Sequence, residues 1–186
     1  MFAMVTAILV TVIALVVLVL LLAFALYQSS RTRIGYIPLP ARAVPAVVKA
    51  LGVNSQEKSR FFDLGCGDGR IIQAALAANP KLTGVGVEYH PMVVWLARWR
   101  LRNLNTNRVQ IRRGDLLKQN LEDAAYVFTY LNHPTMALLE PKLKRELKSG
   151  ARLVSCDFPL PHTKSTKTVK IGESWQLGQT LYIYEY

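Results

Sequence analysis

The first 27 residues of the chain, Met1 to Tyr27, lack charged side chains altogether. A helix needs about 20 apolar residues to cross the hydrocarbon core of a bilayer, and this run is long enough. The absence of alternating polar residues disfavours a helix buried in a soluble core. The absence of a preceding Lys or Arg disfavours a secretory signal peptide. We therefore predict a transmembrane helix. The alternative is a signal sequence that is cleaved near Ala23-Phe24-Ala25, because these residues faintly resemble a signal-peptidase site.

Cysteine is also scarce, with two residues, Cys66 and Cys156, that lie far apart in the sequence. No Cys-x-x-Cys pair and no matching histidine spacing accompanies them, which excludes the usual sequence signatures of a zinc site or a redox pair. We expect both to be buried small hydrophobic residues in a reducing compartment rather than a disulfide. The sequence predicts no bound metal.

Acidic residues are few: 12 Asp and Glu stand against 23 Lys and Arg, which gives a formal net charge of +11 and a sequence pI of about 9.9. So basic a balance favours an anionic partner, either nucleic acid or a negatively charged membrane surface. Because a membrane anchor is already predicted, the membrane surface needs fewer assumptions. A basic surface that only keeps the protein soluble is the other interpretation.

The basic residues nearest the apolar run all follow it: Arg31, Arg33, Arg42 and Lys49. Cytoplasmic flanks of membrane helices carry an excess of Lys and Arg. The C-terminal part of the chain is therefore predicted to lie in the cytoplasm, with a short N-terminus outside. A single-pass protein of a prokaryotic inner membrane is the favoured localisation.

Beyond residue 59, short apolar strands alternate with amphipathic stretches, a pattern typical of βαβ units in a mostly parallel α/β sheet. The predicted strands are Arg60–Leu64, Leu82–Glu88, Val109–Arg112, Tyr126–Leu131 and Ala151–Cys156, followed by an antiparallel pair at Thr168–Ile171 and Thr180–Tyr184. The predicted helices are Ala43–Leu51, Arg70–Ala78, Pro91–Asn103 and Thr135–Lys148, the last with a kink or interruption at Pro141. Helices after the third and fifth strands are expected to be short or missing.

A glycine-rich turn follows the first predicted strand. Residues 63–69 read Asp-Leu-Gly-Cys-Gly-Asp-Gly, and such glycines let the backbone turn tightly and let a ligand approach it closely. A dinucleotide-binding Gly-x-Gly-x-x-Gly would place its third glycine where this chain has Arg70. Asp63 would repel a pyrophosphate, but it suits the cationic amino-acid end of S-adenosylmethionine. The turn therefore resembles motif I of Rossmann-like class I methyltransferases.

Two further acids follow the second and third strands. Glu88 ends the second strand about twenty residues after the glycines, where a carboxylate accepts hydrogen bonds from ribose hydroxyls, a feature shared with dinucleotide enzymes. Asp115 is predicted to lie beside the adenine amino group, with capping of a short helix as the alternative. The cofactor-binding residues predicted from these patterns are Asp63, Gly65, Cys66, Gly67, Gly69, Glu88 and Asp115.

Further elements along nearly the whole chain resemble those of one family. Besides the apolar N-terminal segment and the glycine-rich turn, they include Tyr36-Ile37-Pro38, Gly86-Val87-Glu88, Asp115-Leu116, Leu143–Leu147, Gly150–Cys156 and Phe158-Pro159-Leu160-Pro161. The chain resembles the membrane-anchored protein-lysine methyltransferases that, in mitochondria, act on the adenine nucleotide translocase and the ATP synthase c-subunit, together with their prokaryotic relatives. The resemblance implies S-adenosylmethionine as cofactor, and Tyr36 and Pro38 as a lid over it.

Three departures from that family fall on the expected acceptor side. Asn132-His133-Pro134 stands where the family tends to have Gly-Val-Pro. Asp157 replaces an arginine that usually precedes the Phe-Pro-x-Pro element, and His162 or Thr163 replaces the aromatic residue just beyond it. The departures bear on the identity of the acceptor rather than on the chemistry.

Acceptors enter this fold at the end of the fourth strand, where Tyr130, Asn132 and His133 lie. Asn132 could hydrogen-bond an amine, and Tyr130 could hold a cation against its ring. In the alternative interpretation Tyr130 belongs to the core and His133 starts a helix. The tetrad from Asn132 to Thr135 differs from the Asn/Asp-Pro-Pro-Tyr/Phe of enzymes that methylate nucleic-acid bases, which disfavours a nucleic-acid partner.

The sequence thus predicts three segments and one favoured function. Residues 1–27 form a transmembrane helix, 28–59 a juxtamembrane linker and cofactor-capping segment, and 60–186 a methyltransferase domain. The favoured function is S-adenosylmethionine-dependent protein-lysine N-methylation of a membrane or membrane-proximal protein. The alternatives are methylation of a lipid or other small molecule at the membrane surface, and a non-catalytic cofactor-binding scaffold.

Overall fold

The structure, a computed structural model, describes residues 2–31, 36–53, 58–104, 107–173 and 177–186 in two compact units, Met1–Gly35 and Tyr36–Tyr186. The first unit contains one helix, α1 (Phe2–Arg31), which runs past the predicted end at Tyr27. Within it, the 21 residues Met4–Phe24 are long enough and apolar enough to cross a membrane, a test that a signal sequence also passes.

The second unit is an α/β domain with six further helices and seven strands among its described residues. Its helices are the 3₁₀ turns Ala41–Ala43 and Leu116–Lys118, with α2 (Val44–Leu51), α3 (Arg70–Ala78), α4 (Pro91–Arg100) and α5 (His133–Glu146). Its strands are β1 (Arg60–Leu64), β2 (Thr83–Glu88), β3 (Val109–Arg113), β4 (Tyr126–Thr129), β5 (Arg152–Cys156), β6 (Lys167–Lys170) and β7 (Thr180–Glu185). Of the predicted loop at 52–59, residues 54–57 lie outside the described residues.

The seven strands form one sheet in the order β3-β2-β1-β4-β5-β7-β6. The pairs among β1 to β5 are parallel, whereas β7 pairs antiparallel with both β5 and β6. This confirms the predicted mostly parallel sheet with antiparallel C-terminal strands.

Several predicted boundaries move by a few residues, two of them between β4 and α5. Strand β4 ends at Thr129 instead of Leu131, and α5 begins at His133 because the Asn132 side chain caps it. Of the kink or interruption predicted at Pro141, the interruption is absent, since α5 runs through it to Glu146. Pro141 and Ala137, whose carbonyl loses its helical partner, lie on the exposed side of the helix, where water can replace that hydrogen bond.

Two apolar clusters pack on the sheet. One joins α2 and α3 to β1 through residues such as Val47, Ile72 and Phe61, all fully or almost fully buried. The other joins α5 to β1 and β5 through Leu139, Phe62 and Leu153. Burying apolar surface on both sides is what holds a parallel sheet together. Cys66 and Cys156 are buried and unbridged, as predicted.

The connections after β3 and β5 are short, as expected. A 3₁₀ turn, Leu116–Lys118, stands between β3 and β4. Residues 157–166, between β5 and β6, contain no helix. At the carboxyl ends of the parallel strands, near residues 63, 88, 115 and 130, the chain continues as turns or loops.

Candidate cofactor and acceptor site

The predicted site residues gather at the carboxyl edge of the parallel sheet. Asp63, near the end of the central strand β1, pairs in register with Gly86 of β2 and with Phe128 of β4. Glu88 ends β2, and Asp115 and Tyr130 follow β3 and β4. Ligands of open α/β sheets bind at this edge, because the loops leaving neighbouring strands separate there.

The glycine-rich turn has the backbone conformation that its sequence predicts. Gly65, Gly67 and Gly69 all have positive φ, between +54° and +79°. The turn is fastened to β2, since the amides of Gly65 and Cys66 both donate to the Val87 carbonyl, at 2.9 and 3.0 Å. Gly67 is required for a second reason besides its φ angle: the Tyr36 ring packs so close to it that a Cβ there would lie 2.8 Å from Cε2 of Tyr36.

Asp63 is a buried carboxyl group that forms no salt bridge with the residues that the structure describes. Its side chain is almost completely buried, and its Oδ2 has no hydrogen-bond partner among the described residues. Burial raises the pKa of Asp63 well above its usual range, and the neighbouring charges of Glu88 and Asp68 raise it further. A cationic ligand reverses this cost by pairing with the carboxylate. The residue therefore fits the role predicted for it, toward a positively charged cofactor end.

Glu88 is oriented by the loops on both sides of it. Its Oε2 accepts a hydrogen bond from the Gly67 amide at 3.2 Å, and its Oε1 accepts one from the His90 amide at 2.9 Å. These bonds hold a half-buried carboxylate at the end of β2, next to the glycine-rich turn. Each oxygen keeps acceptor capacity for a sugar hydroxyl.

An ion-pair network that the sequence analysis missed braces the glycine-rich turn. The buried Asp68 pairs with Arg70 at 2.7 Å and with Arg100 of α4 at 2.8 Å. Burial would raise the pKa of Asp68, but hydrogen bonds and charges from Arg70 and Arg100 lower it below its usual value. The signal available in the sequence was an acid inside the turn followed, two positions later, by an arginine.

Arg70 also reaches the segment that precedes α2. Its Nη1 donates to the carbonyl of Leu39, and it hydrogen-bonds the Tyr36 hydroxyl. The Tyr36 ring lies against Gly67, whereas Pro38 is exposed. The structure thus brings Tyr36 to the glycine-rich turn, as a lid over a cofactor requires. The lid role of both residues stays a prediction.

Asp115 adopts the capping geometry. Its Oδ1 accepts a hydrogen bond from the Leu117 amide at 2.8 Å and so caps the 3₁₀ turn after β3. The preceding Gly114 amide donates to the Glu88 carbonyl at 3.0 Å, which places Asp115 beside the end of β2. Capping uses one oxygen, and contact with adenine stays a prediction for the side chain.

Two of the three acceptor-side residues, Tyr130 and His133, pack against Phe158. The Tyr130 ring is tilted against Phe158 with centroids 6.1 Å apart, and His133 meets it edge-on at 5.1 Å. Asn132 Oδ1 accepts from the Thr135 amide at 3.1 Å and from its hydroxyl at 2.7 Å, so this oxygen caps α5. Burial, with the charges of Asp157 and Cys156, raises the pKa of Tyr130 to about 12, which keeps its phenol neutral. A catalytic role for any of the three stays a prediction.

The residues that depart from the family have structural partners here. The Asp157 carboxylate accepts from three backbone amides, those of Gly178, Gln179 and Thr180, at 2.6 to 3.1 Å. The buried Glu140 of α5 accepts from the amide and ring of His162 and from the Thr163 hydroxyl. These contacts fix the chain on both sides of the Phe-Pro-x-Pro element, and therefore the position of Phe158.

We expect Asp68→Asn to lower the stability of the domain by about 1–3 kcal/mol, because two partly exposed arginines lose a buried charged partner. The folded-state pKa of Asp68 is lowered, so this contribution is present above the unfolded-state pKa and is lost as pH falls through the folded value. Thermal unfolding of both chains between neutral and acidic pH measures it, and the difference should shrink at low pH.

The matched control is Asp123→Asn, which removes the exposed ion pair with Arg60. Exposed pairs contribute about 0–1 kcal/mol. Equal losses from the two substitutions would show that Asp68 does not brace the turn.

Comparison with known proteins identifies the family. A sequence model described as the ANTKMT methyltransferase domain matches residues 63–167. A protein-lysine N-methyltransferase of Saccharolobus islandicus (strain REY15A) is 30% identical over 152 residues, which are 81% of this chain and 92% of that protein. The adenine nucleotide translocase lysine N-methyltransferase of Mus musculus is 38% identical over 145 residues, which are 76% of this chain and 61% of that protein.

A solved structure supports both the predicted fold and the predicted cofactor. The crystal structure described as an RNA methyltransferase from Salinibacter ruber, in complex with S-adenosyl-L-homocysteine, has a TM-score of 0.71 at 29% identity and covers 80% of this chain and 93% of that one. The predictions of the family, the class I Rossmann-like fold, the enzyme class and the cofactor are therefore confirmed.

With its glycine-rich turn, its buried Asp63 and these relatives, the chain belongs to the ANTKMT methyltransferase family and is an S-adenosylmethionine-dependent methyltransferase.

Proposed function

We propose that this chain is a protein-lysine N-methyltransferase whose substrate is a membrane or membrane-proximal protein. The observation that carries the proposal is the family match, since both relatives named above are lysine N-methyltransferases and one of them takes a translocase as its substrate. The apolar helix Met4–Phe24 supports a membrane location. We further propose a single-pass anchor with the catalytic domain in the cytoplasm, from the basic residues that follow the helix.

In this proposal the cofactor supplies an activated methyl group, and the chain holds it by charge and by shape. Asp63 faces the cationic amino-acid end, which its Oδ2, without a hydrogen-bond partner among the described residues, can pair with. Glu88 accepts hydrogen bonds from the sugar, and Asp115 faces the adenine. The glycine-rich turn lets the backbone approach the cofactor closely, and Tyr36 covers the turn.

The acceptor lysine must lose a proton before it can accept a methyl group. Tyr130 does not act as a base at neutral pH, because its pKa is raised to about 12. Instead, the cluster of aromatic side chains formed by Tyr130, His133 and Phe158 excludes water from the amine. This desolvation lowers the pKa of the acceptor lysine. Most of the rate enhancement is then expected from holding the amine in line with the methyl group, which is worth about 7–11 kcal/mol in well-oriented systems.

The proposal is tested with purified full-length protein, radiolabelled S-adenosylmethionine and membranes of a strain that lacks the gene. We expect label in a protein band that resists lipid extraction and nuclease, with mass spectrometry placing the methyl group on a lysine. A chain carrying Asp63→Asn serves as the control with impaired cofactor binding.

Three other outcomes would each contradict the proposal. Label in the organic extract would favour a lipid or small-molecule substrate. Label in RNA would follow the activity by which the Salinibacter ruber protein is described. Cofactor binding without transfer to any fraction would favour a scaffold.

A further inference from the structure

Helix α4 presents an unusual row of large apolar side chains to solvent. Met92, Trp95 and Trp99 follow one another at the three- and four-residue spacing that puts them on one face of a helix. Together with Tyr89, just before the helix, they are between 54% and 61% exposed. We call these four residues the α4 face. Isolated exposed apolar residues are ordinary, but a contiguous group marks an interaction surface.

The segment around the α4 face carries positive charge only. From Tyr89 to Gly114 the sequence contains six arginines and no lysine, aspartate or glutamate. Arg100 is paired with Asp68, and Arg108 donates to carbonyls at the end of α3. Arg98 and Arg102 bond to backbone carbonyls, and neither forms a salt bridge within the described parts of the chain. The face is therefore rimmed by cations that lack an acidic partner.

We propose that the α4 face binds an anionic lipid surface. Trp and Tyr are enriched at membrane–water interfaces, where one end of the side chain lies in apolar surroundings and the other contacts water. Trp on an exposed helix face and flanking arginines are two features that α4 shares with helices that lie in the membrane interface. The same chain carries a helix long and apolar enough to cross a bilayer, so a lipid surface is the partner it would meet. This inference does not depend on the identity of the methyl acceptor.

Two other partners fit the face less well. A second copy of the chain would bring the same arginines against one another without acids to pair them, which like-charge repulsion opposes. Single-stranded RNA would stack its bases on exposed aromatic rings. However, the guanidinium of Arg102 already lies 4.4 Å from the Trp99 ring centroid and covers one face of that ring.

The experiment uses the full-length chain in vesicles of phosphatidylcholine, with or without phosphatidylglycerol, that contain brominated lipid as a fluorescence quencher. In a Trp175→Phe chain, Trp95 and Trp99 are the only tryptophans left. We expect their emission to be quenched strongly in anionic vesicles and less in neutral ones. Arg98→Gln with Arg102→Gln should lower quenching in anionic vesicles toward the neutral level, since each cation near anionic lipid contributes to binding.

A matched control places the reporter elsewhere on the same anchored chain. Leu138 of α5 is 65% exposed, close to the value for Trp95, so a chain with all three native tryptophans changed to Phe and with Leu138→Trp reports an equally open position. We expect the α4 reporters to be quenched about two-fold more than this control. Equal quenching at both positions would overturn the proposal. The proposal would also be overturned if added single-stranded RNA, or a second copy of the chain, shifted the emission of Trp95 and Trp99 while brominated lipid did not quench it.

Discussion

Replacing Asp63 by Asn is expected to weaken S-adenosylmethionine binding about 100-fold. The substitution keeps the size of the side chain and removes the one buried carboxylate whose oxygen lacks a partner among the described residues. A hydrogen bond between charged groups in a buried site contributes about 1.5–3 kcal/mol, and 100-fold lies in that range. Isothermal titration calorimetry on the full-length chain in detergent measures the change in Kd.

The same substitution should raise the stability of the protein without cofactor, which separates a ligand-binding role from a structural one. Burial and the charges of Glu88 and Asp68 raise the folded-state pKa of Asp63 above its unfolded value. The folded state then holds a proton that the unfolded state has lost, so stability falls as pH rises from the unfolded pKa toward the folded one. The neutral amide of the Asp63→Asn chain carries no such penalty.

Two results would contradict this assignment. One is unchanged affinity in the Asp63→Asn chain. The other is a loss of stability in the absence of cofactor, which would make Asp63 a structural residue. Calorimetry in buffers of different ionisation enthalpy adds a third measurement, the number of protons released when the cofactor binds. If the cofactor binds ionised Asp63, binding releases a proton at pH values where the free protein holds one.

Replacing Gly67 by Ala is the second large effect we expect. A side chain at positive φ costs about 1–2 kcal/mol, and the new Cβ would stand 2.8 Å from the Tyr36 ring. Overpacking of this kind adds about 1–3 kcal/mol or displaces the ring. We therefore expect a lower melting temperature together with weaker cofactor binding, measured by thermal unfolding and calorimetry.

The chain offers a control for the backbone contribution alone. Gly150 has a φ of +88°, and a Cβ added there meets nothing within 4 Å. Gly150→Ala should therefore lower the melting temperature less than Gly67→Ala and leave cofactor affinity unchanged. In the double variant Tyr36→Ala/Gly67→Ala, the steric part should be relieved. If the double variant is no better than the sum of the single ones, Tyr36 does not pack on the turn in solution.

The order and the type of the secondary structure elements in the domain were predictable because each carries its own local signal. Strand β1 is a short apolar run, and Gly67 marks a turn whose φ favours glycine. The helix ends were harder, since they depend on single hydrogen bonds such as the one from the Thr135 amide to Asn132. In the same way, Asp115 could be read as a cap or as a ligand, and the local geometry shows the cap.

The network around Asp68 could be predicted only in part, because Arg70 lies two positions away but the other members come from distant parts of the sequence. Arg100 lies 32 residues from Asp68, and Leu39, which accepts from Arg70, lies 31 residues before it. No periodicity relates these positions; only the packing of α4 and of the segment before α2 against the turn brings them together. The roles of Asp157 and Glu140 were hidden for the same reason, since each carboxylate bonds chain segments about twenty residues away.

The two native thiols have a practical consequence for attaching probes to this enzyme. Burial raises the pKa of both Cys66 and Cys156, and only the thiolate form attacks alkylating reagents efficiently. A cysteine introduced at an exposed position, such as Leu138 or Trp95, should therefore react with a maleimide well before either native residue. Spin labels and fluorophores can be placed at single positions without first removing the wild-type cysteines.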